Sequence, residues 1–228
     1  MNSPVLLVLF IISLGLSSCS SQAPKAETTA PIDPTEALLI SSIPGAPAPD
    51  SVEDVNDWKE LVRLQVNRTE NECVRAASEY EINLMNFFGP RYGPLKKSEV
   101  ETLTSFFDDL RQQSFVYTAM VKKHWQRVRP YDAHADLNPC IGKEKSFSYP
   151  SGHTTIGRLY YHVLSEIFPK RTKKFLARSD QIALDRNIAG VHYPSDTRDG
   201  KVLGDKIYHL MSGTEAYQRA IAPFVTKR

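Results

Sequence analysis

The sequence predicts an all-α protein whose folded part is a single helical-bundle domain of about seven helices. From residue 51 onward, apolar residues recur at spacings of three and four, as they do on one face of a helix. Almost no stretch alternates apolar and polar residues as a half-buried strand does. Glycine and proline residues fall between the periodic stretches and divide them into elements of helix length.

The first element is predicted to be a signal peptide that lies outside the fold. Residues 5–16 form an apolar run, VLLVLFIISLGL, that is shorter than the ~20 residues needed to span a bilayer. The next residues end at Cys19 in the sequence LSSC, which is similar to the lipobox of bacterial lipoproteins. We therefore expect residues 1–19 to be a lipoprotein signal, Cys19 to be lipidated, and the protein to be periplasmic and anchored to the outer membrane. An ordinary cleaved signal with an unmodified cysteine is the alternative.

The second element, residues 20–50, is predicted to be a tether. It is rich in proline, alanine and serine, a composition that buries too little apolar surface to order itself fully. Leu38, Leu39 and Ile40 are expected to pack on the domain as a short arm. The folded catalytic domain is predicted at residues 51–228.

Seven amphipathic stretches are the predicted helices of this domain. The clearest begins with a capping-box sequence, Ser98 to Glu101, and continues with apolar residues toward Gln126. Breakers such as Pro150 and Pro194 separate the stretches. In chain order the predicted helices are 52–66, 70–88, 98–126, 153–168, 171–189, 197–211 and 215–222.

The composition excludes several classes of function. There are 28 Lys and Arg against 26 Asp and Glu, a net charge of +2, which is too even for a nucleic-acid-binding domain. The 41% hydrophobic and 24% charged residues are typical of a folded domain and exclude disorder of the whole chain. The three cysteines form no C-x-x-C pair, so the sequence indicates neither a zinc site nor thiol redox chemistry.

The first segment with chemistry-bearing side chains is KKHWQRVRP, residues 122–130. Lys122 and Arg129 are about two helical turns apart and are predicted to share a helix face. Pro130 disfavours helical conformation at Arg129, so the helix should end there. Two cations would then point the same way at a helix end; a solvated basic face is the alternative.

The second segment, Ser151, Gly152 and His153, follows Pro150 at the predicted start of a helix. Ser151 is predicted to be the N-cap, which leaves the free amides of Gly152 and His153 at the positive end of the helix dipole. This arrangement binds anions, with the imidazole of His153 beside the anion. The alternative is a capped helix with an incidental histidine.

The third segment contains Arg186, His192 and Asp196. Because Pro194 interrupts any helix between them, we expect His192 in a turn and Asp196 as the cap of the next helix, where it can accept a hydrogen bond from the imidazole. A carboxylate on one imidazole nitrogen leaves the other nitrogen free as a nucleophile or base. A surface capping aspartate and a loop histidine are the alternative.

Together these segments resemble the signature of the type 2 phosphatidic acid phosphatase superfamily: Lys-x6-Arg-Pro, then Pro-Ser-Gly-His, then Ser-Arg-x5-His-x3-Asp. The match fails at one position, where Asp185 replaces serine. The stretches SYPSGHTTIG, HVLSEIFP and GVHYPSDTRDGKVLG are most similar to bacterial class A non-specific acid phosphatases. A carboxylate at position 185 would repel a phosphate dianion unless it points away from Arg186.

The resemblance implies a metal-independent acid phosphatase that hydrolyses small phosphomonoesters through a phosphohistidine, in the helical fold shared with vanadium haloperoxidases. It makes His192 the nucleophile, Asp196 the residue that orients it and His153 the general acid. The phosphate oxygens would be held by Lys122, Arg129, Ser151, Gly152 and Arg186. No cofactor or metal is implied. Phosphotransfer to other acceptors, the pH optimum and homo-oligomer formation stay open.

Other functions are compatible with the same motifs. The predicted membrane anchor fits a phosphatase of membrane lipid phosphates, either phosphatidate or lipid A. Vanadium-dependent haloperoxidases resemble the motif set but are much longer chains. A non-catalytic phosphate-binding lipoprotein would not need both His153 and His192, and a metallophosphatase would need a further carboxylate cluster beside His192 and Asp196.

The remaining cysteines, histidines and glycines are assigned no part in the chemistry. Cys73 and Cys140 could pair in an oxidising compartment or stay separate thiols, and the sequence does not decide between these. Gly200 and Gly204 lie one turn apart and are predicted to permit close helix packing behind His192. The histidines outside the motifs are expected to be structural: His124, His134, His162 and His209.

Overall fold

A computed structural model describes residues 36–225, and every regular element within this range is helical. The predicted all-α class is therefore confirmed. The predicted signal peptide, Cys19 and residues 20–35 of the tether lie outside the described residues. A 3₁₀ turn occupies Pro169–Arg171. The α-helices are α1 (Glu36–Ile40), α2 (Val52–Asn67), α3 (Glu70–Ser78), α4 (Leu84–Phe88), α5 (Lys97–Trp125), α6 (Pro130–Ala133), α7 (Gly152–Ile167), α8 (Thr172–Ile188), α9 (Pro194–Ser212) and α10 (Glu215–Ile221).

Helix α7 is the central element of the bundle, packed between α8 and α9. Tyr160 shows how its apolar face is buried. The ring of Phe107 on α5 meets the ring of Tyr160 edge-on at 4.8 Å between centroids, and the Tyr160 hydroxyl donates to the Phe107 carbonyl at 2.8 Å. Such aromatic pairs stabilise a core beyond the surface they bury. The start of α7 is therefore held by a rigid core.

Two glycines let α9 approach α7 closely, as predicted. A Cβ at Gly200 would lie 2.9 Å from the Ser151 carbonyl oxygen, and one at Gly204 would lie 2.6 Å from the Thr155 carbonyl oxygen. Only a residue without a side chain fits at these contacts. The close approach brings the first turns of both helices together, where the Ser151 amide donates to the Asp196 carbonyl at 2.9 Å.

The helix predicted at 70–88 is two helices, α3 and α4. The chain leaves the helix after Ser78 and enters α4 at Leu84, where the Asn83 side chain caps the new helix by accepting from the Asn86 amide at 2.8 Å. The apolar spacing continues across the break, so periodicity did not reveal it. The turn between the helices directs the Glu79 side chain and the Tyr80 carbonyl to the groups described below.

Helix α5 begins and ends differently from the prediction. It starts at Lys97, and Glu99 rather than Glu101 reaches back to accept from the Lys96 amide at 2.8 Å. It ends at Trp125, so Arg129 lies beyond it as the N-cap of α6. The prediction that Lys122 and Arg129 share a helix face is therefore wrong.

The folded unit begins before residue 51, because residues 36–50 pack on the domain instead of forming a free tether. Leu39 and Ile43 are buried against the core, while Leu38 is 39% exposed. The Gly45 amide donates to the Tyr149 hydroxyl at 3.0 Å, which connects this arm to the second motif. The predicted arm thus exists but is longer than expected, and Leu39 is the residue that anchors it.

A disulfide joins Cys73 on α3 to Cys140, with 5.8 Å between their Cα atoms. It links α3 to the irregular segment between the first and second motifs. The Cys140 amide also donates to the Ala189 carbonyl at 3.1 Å, just after α8. Among the described helices, none is both long and apolar enough to cross a membrane.

Candidate active site

The three motif segments meet at one end of the bundle. Lys122, Arg129, Gly152 and His153 line one cavity. His192 adjoins it, with its Nε2 atom 3.2 Å from Arg129 Nη1. The structure therefore brings together groups from all three motifs, although they lie up to 70 residues apart in the chain.

His192 is held between an anion and a cation. Its Nδ1 atom lies 3.3 Å from Asp196 Oδ2, and its Nε2 atom faces Arg129. Because a guanidinium can only donate, Nε2 is the acceptor and Nδ1 carries the proton toward Asp196. Burial, and then the charges of Arg129 and Lys122, lower the pKa of His192 to about 3. The ring is thus neutral, with its lone pair on Nε2.

Asp196 is the third residue of α9, whose first residue is Pro194; its side chain caps the helix as predicted, although the N-cap residue itself is Tyr193. Proline is favoured at the first position of a helix, where its missing N–H is not needed. The Asp196 Oδ2 atom accepts from the Tyr193 amide at 2.9 Å and from Ser148 Oγ at 2.5 Å. Burial would raise the pKa of Asp196, but the hydrogen bond to His192 and the Arg127 charge keep it well below its usual range.

Arg127 is a site residue that the sequence did not reveal. Its Nη1 atom donates to Asp196 Oδ1 at 2.8 Å, and its Nη2 atom donates to Asp54 Oδ1 at 2.8 Å and Asp57 Oδ2 at 2.9 Å. Asp57 also accepts from the Ser195 amide at 2.9 Å. Arg127 thus connects α2 to the carboxylate beside His192. In the sequence it is one of several cations in a basic stretch, and its partners on α2 carry no local signal.

The second motif begins α7, and Ser151 is its N-cap as predicted, accepting from the Thr154 amide at 3.4 Å. His153 is buried, and its Nε2 atom lies 3.1 Å from the Tyr80 carbonyl oxygen. Since a carbonyl only accepts, Nε2 carries a proton and Nδ1 is the nitrogen left for chemistry. Burial, followed by the Arg186 charge, lowers the pKa of His153.

Lys122 is half-buried, and its ammonium donates to the carbonyls of Phe147 and, at 3.1 Å, Ser148. Burial, and then the Arg129 charge, lower the pKa of Lys122 to about 7. Together with Arg129 it gives the cavity wall two cationic groups, which suits an anionic ligand.

Arg186 has two donors without partners. Its Nη2 atom donates to the Ala76 carbonyl and to Glu79 Oε2, both at 2.7 Å. Its Nε and Nη1 atoms are buried and make no hydrogen bond within the described residues. Unsatisfied buried donors on a cation are costly, and an anion is the ligand that removes this cost.

The Asp185 carboxylate points away from Arg186, so it would not repel an anion bound to that guanidinium. Its carboxylate is fully buried and pairs with Arg75 on α3, with Oδ1 2.7 Å from Nη2 and Oδ2 2.9 Å from Nε. The negative charge at this position is thus neutralised by a helix that the motif does not include.

Glu144 is a second residue that the sequence did not reveal. It lies in the irregular segment before the second motif, lines the same cavity, and accepts from Arg129 Nη2 at 2.8 Å. Within the described residues, no group of three or more histidine, cysteine, aspartate or glutamate side chains is placed to hold a metal ion.

Comparisons with known proteins match the part of the chain that carries the three motifs. The sequence profile of the PAP2 superfamily matches residues 110–211, which contain all three motifs. The part of the chain that carries the motifs is thus similar to the PAP2 superfamily. The predicted resemblance is thereby confirmed.

Curated proteins similar to this chain include non-specific acid phosphatases. That of Salmonella typhimurium is 31% identical over 146 residues, which are 61% of this chain and 58% of the relative. That of Providencia stuartii is 25% identical over 195 residues, covering 80% of this chain and 77% of the relative. A lipid A 1-phosphatase of Rhizobium etli is 29% identical over 89 residues, covering 37% of this chain and 38% of the relative. The chain thus spans less than two thirds of the Salmonella protein.

Two solved structures share the fold. A transmembrane PAP2-type phosphatidylglycerolphosphate phosphatase from Bacillus subtilis superposes with a TM-score of 0.51 and 18% identity, over 78% of this chain and 90% of that one. A bacterial vanadium-dependent iodoperoxidase gives a TM-score of 0.54 and 16% identity, over 83% of this chain and 54% of that one. The predicted acid phosphatase/vanadium haloperoxidase-like fold is confirmed.

Proposed function

We propose that this protein is a metal-independent acid phosphatase that hydrolyses phosphomonoesters through a phosphohistidine on His192. The observation that carries the proposal is the placement of His192: its Nδ1 atom faces an ionised Asp196 and its Nε2 atom faces the cavity cation Arg129. The similarity to non-specific acid phosphatases supports the substrate class.

In the first step, the Nε2 lone pair of His192 attacks phosphorus while the bond from phosphorus to the ester oxygen breaks. Protonated His153 gives its Nδ1 proton to the leaving oxygen, which departs as an alcohol. A general acid of this kind contributes ~10² to 10⁴ in rate. The buried His153 gains its proton as the phosphate dianion arrives, because the negative charge offsets the burial and the Arg186 charge that lower its pKa.

In the second step, water attacks phosphorus while the bond from phosphorus to His192 Nε2 breaks, and phosphate is released. Neutral His153 takes a proton from that water and is protonated again, as it was at the start of the first step; it loses this proton when the phosphate departs. If another alcohol takes the place of water, the same step transfers the phosphoryl group to it. Product analysis with glycerol as an added acceptor measures this branch.

Positive charge and hydrogen-bond donors would stabilise the transferring group in both steps. Phosphoryl transfer is catalysed mainly by positioning and by preorganised charge. The groups proposed to hold the equatorial oxygens are Lys122, Arg129, Arg186, Ser151 and the backbone amides of Gly152 and His153.

The experiment is hydrolysis of p-nitrophenyl phosphate by the wild type and by His192→Ala, with and without EDTA and vanadate. We expect activity that survives EDTA, falls with vanadate and disappears in the variant. The matched control is His162→Ala, because His162 also pairs with an aspartate, Asp205 at 2.6 Å, but outside the site. Full activity in His192→Ala, or loss of wild-type activity in EDTA, would reject the proposal.

A lipid phosphate is the second candidate substrate, because the lipid A 1-phosphatase relative matches this chain. Hydrolysis rates on phosphatidate vesicles, lipid A and p-nitrophenyl phosphate, measured on one preparation, separate the two. A kcat/KM that is higher on a lipid phosphate than on the soluble ester would favour a lipid phosphate as the substrate. Peroxide and bromide with vanadate test for a haloperoxidase.

We also propose that the protein is exported and anchored through Cys19. The apolar run at 5–16 and the LSSC sequence support this, and a disulfide such as Cys73–Cys140 persists in an oxidising compartment. Labelled palmitate should enter the wild type but not Cys19→Ser, and the wild type should fractionate with outer membranes. Equal labelling of both proteins would contradict the anchor.

A further inference from the structure

The carboxylate of Glu144 lies among the groups proposed to bind phosphate. Its Oε2 atom accepts from Arg129 Nη2 at 2.8 Å, and its Oε1 atom is 4.0 Å from His153 Nδ1. Nδ1 is the nitrogen proposed to protonate the leaving group. Glu144 thus contacts one proposed phosphate ligand and stands beside the general acid.

Hydrogen bonds of the Glu144 backbone and of the nearby Ser146 fix the position of Glu144. Its amide donates to the Tyr131 hydroxyl at 2.9 Å, and that hydroxyl donates to the Glu144 carbonyl at 2.8 Å. Two residues later, the Ser146 carbonyl accepts from Arg129 Nε at 2.8 Å. The side chain is only 28% exposed. These contacts therefore hold Glu144 in a fixed position, and it is not a solvated surface carboxylate.

The charges that face Glu144 keep it ionised. Burial would raise the pKa of Glu144, but the charge of Arg129, assisted by that of Lys122, lowers it below its usual range. These cations come from α5 and from the segment that follows it. The two imidazoles that also face Glu144, His153 and His192, come from α7 and from the turn before α9. All four are the same groups proposed to surround the substrate phosphate.

Arg129 has no donor to spare while Glu144 is bound to it. One of its five N–H groups points at Glu144, and the other four point at the Ser146 carbonyl and hydroxyl, the Val191 carbonyl and His192 Nε2. A phosphate can bind Arg129 only by displacing an acceptor. Glu144 is the only carboxylate among them, and phosphate and carboxylate oxygens fit the same guanidinium fork.

We infer that Glu144 is an intramolecular competitor for the anion site, whose carboxylate occupies Arg129 until a substrate phosphate displaces it. An incoming phosphate must displace the Glu144 carboxylate from Arg129, and the two anions repel each other. Glu144 therefore lowers the affinity of the site for phosphate and for phosphomonoesters alike. The inference rests on the proposed function only for the identity of the anion. The competition itself is a binding equilibrium that needs no turnover.

The experiment is calorimetric titration of the purified protein with inorganic phosphate and with orthovanadate. Glu144→Gln keeps the shape of the side chain and removes its charge, so we expect its Kd for both anions to be about tenfold lower than that of the wild type. Glu144→Ala should show a similar gain. The matched control is Glu81→Gln, which removes a carboxylate from the same cavity without touching the Arg129 ion pair, and its Kd should stay near the wild-type value.

The outcomes separate this inference from the proposed function. Unchanged or weaker phosphate binding in Glu144→Gln overturns the inference even if the wild type hydrolyses p-nitrophenyl phosphate. An equal gain in anion affinity in Glu81→Gln also overturns the inference, because the general charge of the cavity would then explain the effect. The inference is likewise overturned if neither the wild type nor Glu144→Gln binds either anion. Tighter binding confined to the Glu144 variants, in a protein that hydrolyses no ester, would support the inference and reject the proposed function.

Discussion

The chemistry of a buried histidine depends on which of its nitrogens keeps a lone pair. In His192 the choice is made by Asp196 on one side and Arg129 on the other. Asp196 is in turn fixed by Arg127, Ser148 and the Tyr193 amide. A buried carboxylate with several donors orients its partner far better than a solvated one. Arg127 therefore acts on the proposed reaction through Asp196.

Replacing Arg127 with methionine should lower kcat by about 10²-fold, because Asp196 loses a charged partner and the imidazole loses its alignment. Arg127→Lys should recover part of the loss, and phosphate affinity should change little in either variant. The control is Arg158→Met, which breaks an arginine–aspartate pair with Asp205 outside the site. An unchanged kcat in Arg127→Met would show that Asp196 needs no such support.

The pH dependence of kcat/KM tests the environment of the nucleophile. An ordinary histidine protonates near pH 6.5, but burial and the Arg129 charge lower the pKa of His192 to about 3. As the proposed nucleophile, His192 should therefore stay neutral down to about pH 4, and kcat/KM, corrected for ionisation of the substrate, should show no acid limb above that pH. An acid limb with a midpoint near 6.5 would mean that His192 is not held as described.

The residues that could be predicted are those with a local signal. The sequence predicts Ser151 as an N-cap because it follows a proline and stands just before an apolar-periodic run. Glu79, Asp57 and Glu144 could not be predicted, because each meets the site only through packing of distant segments. A charged residue in an amphipathic helix looks the same whether it faces water or a buried arginine.

At the scale of the elements, the contact of α7 with α9 sets the site. Their first turns meet where Ser151 donates to the Asp196 carbonyl, and the glycines of α9 allow that approach. Periodicity predicted the helices but misplaced their ends, since caps such as Glu99 and Pro194 act over one turn only. The break between α3 and α4 was missed for the same reason.

Gly204→Ala tests this contact. The added Cβ would lie 2.6 Å from the Thr155 carbonyl oxygen, so the helices must separate, and the free energy of unfolding should fall by ~1–3 kcal/mol. Urea denaturation measures the change. Gly213→Ala is the control, because an added Cβ there meets no atom within 4 Å. Equal stability of both variants would contradict the close contact.

At the scale of the molecule, the helices before the superfamily match complete the site. The motifs lie within residues 110–211, but the charges that they bury are paired with residues outside this range. Asp57 on α2 pairs with Arg127, Arg75 on α3 pairs with Asp185, and Glu79, just after α3, pairs with Arg186. Removing one partner of a buried pair leaves an uncompensated charge. The bundle therefore has to fold around the motifs as a unit, and the Cys73–Cys140 disulfide joins the two parts.

Removing this disulfide should destabilise the whole domain. It closes a loop with a sequence separation of 67, and a bridge of this kind contributes ~2–4 kcal/mol. The double variant Cys73→Ser, Cys140→Ser should unfold at lower urea concentration than the oxidised wild type, and the reduced wild type should match the variant. Identical midpoints for oxidised and reduced wild type would show that the bridge adds no stability.

The most direct test of the proposed reaction is to trap the phosphoenzyme. The wild type is mixed with a labelled phosphomonoester in the presence of EDTA, quenched in alkali, where phosphohistidine survives, and digested for mass spectrometry. We predict one phosphoryl group on His192, and none in His192→Ala. Label on another residue, or turnover with no labelled protein on any timescale of mixing, would contradict the account.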